Sequence, residues 1–347
     1  MYKPEKTFHI FLFTILYIFS SIVIADNLER GIYLYNQQQF NDAFSILEKE
    51  AKTGNSKAQY YLAKIYDSGH GARKNINKAY YWYTKSADQG NSNAQNNLAY
   101  MFSHGEGVKK NKRKAFELYS KSATQGNDAA QYNLALFYAE GIVVKQNWAS
   151  AIYWFRKSAE QDYEKALNAM GIIYQFGKGV PIDRNEAIKW YKKAAEKGDI
   201  QSMWNLSTLY LPEDNPGDVK RWDEVYKWYA LGMLHGDKKN APFGMGLIYL
   251  FGRGSFPFDY PKATELFTMS AENGKADGLY WLGVMQEYGF GGKSNDEKAF
   301  EFYRKAAAAG SEPAIRRLKQ KEPEPVVKLI RFMENIFSSH SCKGTFS

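Results

Sequence analysis

The chain has 347 residues, 44% hydrophobic and 24% charged, with a formal net charge of +9 and a single cysteine, Cys342. That balance belongs to a globular chain rather than a disordered one, and one cysteine excludes any internal disulfide. The five histidines stand in no His-Glu-x-x-His or cysteine–histidine spacing, so no metal site and no cofactor are expected.

In chain order, residues 1–25 are expected to be a signal peptide. Lys3 and Lys6 precede an apolar run from Ile10 to Ile24, and Val23 and Ala25 suit cleavage before Asp26. An uncleaved anchor is the alternative, but the run is shorter than the roughly 20 residues that a bilayer span needs. The expectation is an exported protein, periplasmic or secreted. Export without disulfides fits a bacterial periplasm better than a eukaryotic lumen.

Residues 26–56 form an incomplete first unit. A helix is expected from Leu28 to Asn36, then a short turn, then a helix carrying Ala43, Ile46, Leu47 and Ala51. From residue 57 the chain repeats, in segments 57–92, 93–128, 129–164 and 165–200, then 201–239, 240–276 and 277–312, with a partial copy at 313–318. An opening alanine recurs 36 residues apart at Ala58, Ala94, Ala130 and Ala166. Leu62, Leu98, Leu134, Met170, Leu206, Met245 and Leu282 form the next column, each followed by Ala, Gly or Ser. A second helix carries the Ala79 column, and three residues later the Trp82 column continues through Leu118, Trp154, Trp190, Trp228, Leu266 and Phe302. Apolar positions three and four apart make each half a one-faced helix, which must bury its stripe against a neighbour. A fixed period of this size means a solenoid.

The segment 201–239 departs from the pattern: Leu211 to Asp218 places two prolines and an acidic cluster where other copies have Gly-x-Gly. Residues 319–347 comprise a linker, a helix from Val326 to Phe337 with one apolar face, and a tail. That helix reads as a cap on the last repeat or as a surface for a partner or a membrane.

The run A-x-x-x-L-[AG]-x-x-Y-x-x-G-x-G followed by A-x-x-W-Y-x-K-[SA]-A-x-x-G resembles the Sel-one-like repeat, a relative of the tetratricopeptide repeat. It spans about Leu28 to Leu318. The resemblance implies an all-α, right-handed α-α superhelix of about seven helix-turn-helix repeats with terminal capping helices. It also implies a scaffold or adaptor in protein complexes, without catalysis.

Other motifs carry little chemistry. Gly291-Gly292-Lys293-Ser294 resembles the end of a phosphate loop, but Glu287 stands where that motif needs glycine, and a helix precedes the loop instead of a strand. The acidic turn with Glu213, Asp214 and Asp218 lacks the spacing of a calcium loop. Lys109, Lys110, Lys112, Arg113 and Lys114 form a basic run, read as a solvated turn or as a face for an acidic protein or an envelope polymer. Nucleic acid is not an expected partner of an exported chain. The candidate partner-binding residues lie two positions after the opening alanine: Tyr60, Asn96, Tyr132, Asn168 and Trp204. Such an aromatic–asparagine ladder suits stacking on an extended peptide and hydrogen bonding to its backbone. Packing between adjacent repeats is the alternative. The expected function is an exported protein–protein interaction scaffold. An envelope-polymer or membrane-surface binder is the alternative, and an enzyme is the least expected reading.

Overall fold

The computed structural model describes residues 27–211 and 217–320. The expected signal segment, most of the acidic turn and the amphipathic stretch from Val326 lie outside the described residues. The described residues are all-helical, without strands, and divide after Tyr163 into two compact units. Unit 1 holds α1 (27–36), α2 (Phe40–Lys52), α3 (Ser56–Ser68), α4 (Ile76–Asp88), α5 (Ser92–His104), α6 (Lys112–Thr124), α7 (Asp128–Glu140) and α8 (Trp148–Ala159). Unit 2 holds α9 (Glu164–Phe176), α10 (Arg184–Glu196), α11 (Ile200–Tyr210), α12 (Val219–Leu234), α13 (Asn240–Phe251), α14 (Tyr260–Glu272), α15 (Ala276–Tyr288), α16 (Asp296–Ala308) and α17 (Glu312–Lys319). From α2 to α8, and again from α9 to α17, each helix packs on the next. Each unit is thus a stretch of helical-repeat solenoid.

The hairpins are set by local chemistry. From α4 onward, every second helix of a pair begins at Asn or Asp: Asn75, Asn111, Asn147, Asp183, Asp218, Asp259 or Asn295. Each cap side chain accepts a backbone N–H of the first turn, as Asn111 Oδ1 does from Lys114 at 3.0 Å. The cap's own N–H reaches back to the preceding helix: Asn75 to the Tyr66 carbonyl and Asn111 to that of Phe102, both at 2.8 Å. Most first helices end in a left-handed residue, where glycine is the low-cost choice, as at Gly69 (φ 81°), but α11 ends at Leu211 (φ −53°). One loop breaks the rule. Val143 sits at φ 70°, at the position that Gly71, Gly107 and Gly179 fill in other copies. A β-branched residue there is strained.

The core follows the columns. Ala58, Leu62, Ala94, Ala130, Leu134, Ala166 and Met170 are buried at 1% exposure or less. The second helices require a correction. The Trp82 column is mostly half-buried, and the following residue fills the core instead: Tyr83, Tyr119, Phe155, Tyr191, Phe267 and Tyr303. The small column explains why. A Cβ added at Gly283 would lie 2.6 Å from Tyr303, one at Gly246 2.7 Å from Phe267, and one at Gly171 would collide with Tyr191. The small residue on the first helix is the seat for that ring.

The joints between pairs are polar in unit 1. Gln59 on α3 donates to the Ala51 carbonyl of α2 at 3.2 Å and accepts from Gln89, at the end of α4, at 2.7 Å. Gln95 repeats this with Ala87 and Gln125 at 3.2 and 2.7 Å, and Gln131 with Ala123 and Gln161 at 3.2 and 2.8 Å. These three glutamines are 4–5% exposed, so the amide bonds answer the cost of burying them. Within each pair, Ser86, Ser122 and Ser158 clamp the second helix to the first, donating to the carbonyls of Ser56, Ser92 and Asp128 at 2.6, 2.7 and 2.8 Å.

Candidate functional site

The positions two and three after the opening alanine are half-buried on α3 and α5, while further along many are buried, among them Tyr132, Ala169, Asn205 and Trp281. In unit 1 they form a hydrogen-bonded path. Asn133 Nδ2 donates to Asn96 Oδ1 at 3.2 Å, and Asn96 Nδ2 to Asn97 Oδ1 at 3.2 Å. Asn97 Nδ2 donates to the Tyr83 hydroxyl at 3.0 Å, which donates to Asp67 at 3.4 Å. Burial and the nearby Asp67 carboxylate hold the Tyr83 phenol far above its ordinary range. It therefore stays neutral and keeps its proton for Asp67.

Tyr60 begins the same column on α3. It lines a cleft of about 440 Å³, walled by Glu29 and Ile32 of α1, Tyr61 of α3, and Asn91 and Asn93 at the start of α5. Three successive first helices therefore build one concavity. Lys64 Nζ lies 4.8 Å from the Tyr35 ring centre, 5.6 Å from Tyr60 and 5.7 Å from Tyr61, gathering three rings about one cation. Burial, then Tyr61 and Tyr35, push the Tyr60 phenol up to about 12. The cleft offers ring faces, amide groups and one charge of each sign, Glu29 and Lys57.

The structure separates the five sequence-predicted residues. Tyr60 lines the cleft. Asn96 joins its pair to the next through Asn133. Tyr132 is 8% exposed and packs on Phe155 and Tyr163, with ring centres at 5.6 and 5.5 Å. In unit 2, Asn168 accepts from Ser202 Oγ at 3.1 Å and Asn205 Nδ2 at 3.0 Å, and Trp204 is half-buried against the unit's apolar core. Packing between repeats thus accounts for much of this column. Sequence reasoning missed Tyr61, Asn97 and Asn133, one position further on. Their signal was the same 36-residue recurrence, which also places Asn205 there.

Among the described residues no helix is long and apolar enough to cross a membrane. The sequence pattern of the Sel1 repeat matches residues 56–91, 92–127, 128–163, 164–199, 240–275 and 276–311, more than half of the chain, and leaves 200–239 unmatched. Two solved structures are similar. One is c5321, a protective antigen of uropathogenic Escherichia coli with an SLR fold: 27% identical, TM-score 0.71, covering 91% of this chain and 68% of that one. The other is a Sel1 repeat protein from Oxalobacter formigenes: 30% identical, TM-score 0.64, covering 71% of this chain and 99% of that one. A curated relative, DAP3-binding cell death enhancer 1 of Rattus norvegicus, is 39% identical over 61 residues. Those residues are 18% of this chain, and the chain spans only 12% of that relative's length. Six matching repeats make the chain a member of the Sel1 repeat family, whose proteins generally serve as scaffolds for protein–protein interaction.

Proposed function

We propose that this protein is an exported, non-catalytic interaction scaffold that captures an extended segment of a partner protein on the first-helix face of unit 1. The observation that carries this reading is the cleft shared by α1, α3 and α5, with Tyr60 and Tyr61 in its wall. Aromatic side chains anchor partners well because they bury much area for few rotatable bonds. The rings here are already held by Lys64 and by each other, at 5.2 Å between the centres of Tyr60 and Tyr61, so little ordering cost remains on binding. Asn91 and Asn93 supply amides at the rim for a peptide backbone. The export part of the proposal rests on residues 1–25, with their basic start and apolar run.

The test is a photo-crosslinking amino acid at position 60, compared with one at Tyr153, a residue of α8 that is 54% exposed. A discrete protein crosslinked from position 60, not from 153, and bound more weakly by Tyr60→Ala is the expected result. Equal labelling from both positions would remove the cleft as the site. Export has its own readout. The mature chain should begin at Asp26, and purified cell envelopes carrying chains that still begin at Met1 would overturn cleavage.

A further inference from the structure

At the opposite end of the first helices, the loops of unit 1 carry a second surface of different chemistry. Arg73, Lys74 and Lys78 stand at one loop, and Lys109, Lys110 and Lys114 at the same positions one repeat on, with Lys112 and Arg113 beside them. All except Lys112 are exposed, and among the described residues none of them has an ion-pair partner. Each trio stands on a T-shaped ring pair. Phe44 and Tyr66 meet at 5.9 Å and 89°, and Tyr80 and Phe102 at 6.1 Å and 87°. Lys78 Nζ lies 4.8 Å over Tyr66, and Lys114 Nζ 5.0 Å over Phe102. The next repeat keeps the rings, with Phe116 and Tyr138 at 5.7 Å, but loses most of the charge: Lys145 stays, while Gln146 and Ser150 take the other two places. Two charged cradles in register are therefore a local feature, beyond what the repeat itself requires.

The first cradle opens a cleft of about 480 Å³ lined by Phe44, Tyr66, Arg73, Lys74 and Lys78, with no carboxylate in its wall. Partial burial and the neighbouring Lys110 hold the Lys112 ammonium below its ordinary range, against the pull of Glu140. Like charges thus crowd this edge, offset only in part by Glu140. An anionic ligand would relieve that repulsion. The cations are mainly lysines, point charges without the planar fork that selects phosphate in pairs, and ring edges border their stems. Those features suit carboxylates on short aliphatic stems.

We propose that the two cradles are a docking site for an acidic, extended protein segment, whose carboxylates meet the Arg73–Lys74–Lys78 and Lys109–Lys110–Lys114 trios in turn. The choice of a protein, rather than another polyanion, rests on the scaffold reading above. The site itself is separate from the Tyr60 cleft.

The test uses a labelled oligo-glutamate peptide, with an oligo-glutamine peptide as control, and fluorescence anisotropy on the mature chain. The oligo-glutamate peptide should bind, the control should not, and affinity should fall steeply with salt. Lys74→Glu combined with Lys110→Glu should weaken binding about tenfold or more, because like charges then face each other. Lys121→Glu, a single substitution of the same kind at the end of α6, should leave it unchanged. Both variants change exposed side chains, so melting curves should match the wild type. No binding by the wild-type chain, or equal loss in the Lys121→Glu chain, overturns the site. Binding of inorganic polyphosphate without binding of oligo-glutamate overturns the peptide assignment. Tyr60→Ala should not alter peptide binding, so failure here and failure of the cleft reading are told apart.

Discussion

The two units are built from one repeat but are joined by different chemistry. In unit 1, Gln59, Gln95 and Gln131 bridge each pair to the one before it through buried amides. In unit 2 the register positions hold Leu167 and Met203, both buried at 1% or less, and Leu279. Unit 2 keeps one amide joint, where Asn168 accepts from Ser202 and Asn205, and adds a charged cluster at its end. There Glu287 takes two bonds from Arg317 Nε at 3.1 Å, a further one from its Nη2, and one from the Tyr303 hydroxyl at 2.6 Å. Arg317 also stacks 5.0 Å from the Phe300 ring centre. The difference teaches that the repeat prescribes an apolar core and leaves the joint free. Buried glutamine amides bridge every joint of unit 1, whereas unit 2 fills those register positions with apolar side chains and adds the Asn168 joint and a charged clasp on its last helices.

The widest test of the comparison is alkaline titration. The Tyr60 phenol in unit 1 and the Tyr229 phenol in unit 2 are both pushed up to about 12, mainly by burial. A raised folded-state value means that their contribution is complete below the unfolded value near 10 and is lost as pH rises through about 12. Both units should therefore lose helix in that window, and the tyrosinate absorbance that Tyr60→Phe and Tyr229→Phe remove from the wild-type signal should change together with the circular dichroism. That difference signal appearing near pH 10 with helix intact would show the two rings to be open to solvent. The charged clasp is next in size. Arg317→Ala leaves Glu287 buried beside Tyr303, and should cost about 3–5 kcal/mol, read as faster hydrogen exchange in α15 to α17. An effect spread equally over unit 1 would contradict the local reading. For the ladder, Gln95→Leu should cost about 1–2 kcal/mol, at the low end for a lost buried bond because Gln125 keeps its 3.2 Å bond to the Lys121 carbonyl. A neutral or stabilising outcome would mean that unit 1 would tolerate the joints of unit 2. The smallest change is a gain. Val143→Gly relieves a left-handed β-branched residue and should stabilise unit 1 by about 1 kcal/mol, visible as a raised melting temperature.

The core was legible because period and burial coincide. Ala58, Leu62, Ala94 and Leu134 recur at fixed spacing, and they are buried. The ring column was harder. Trp154 and Phe155 are adjacent and both aromatic, and a 3.6-residue period does not choose between positions three and four after an alanine. The choice is made by the small residue on the partner helix, a contact that spacing within one helix does not contain. The glutamine ladder was invisible for another reason. Gln95 is polar and so reads as solvent-facing, although its burial depends on a partner 30 residues away. The candidate site was half legible. Tyr60 stood out as an aromatic in the right column, but the use of Asn96 and Asn168 as joints depended on residues 37 positions on, Asn133 and Asn205.

The ladder also carries a rule for how such a chain grows. Each of Gln59, Gln95 and Gln131 meets the same two partners, a carbonyl of the preceding pair and a glutamine of its own pair. A duplicated copy of residues 93–128 spliced in after itself would find both of its seams already matched. The same copy spliced after residue 200 would bring an amide to a seam lined by Met203. The buried amide thus marks where an inserted copy is interchangeable with its neighbours, and the Met203 seam marks where it is not.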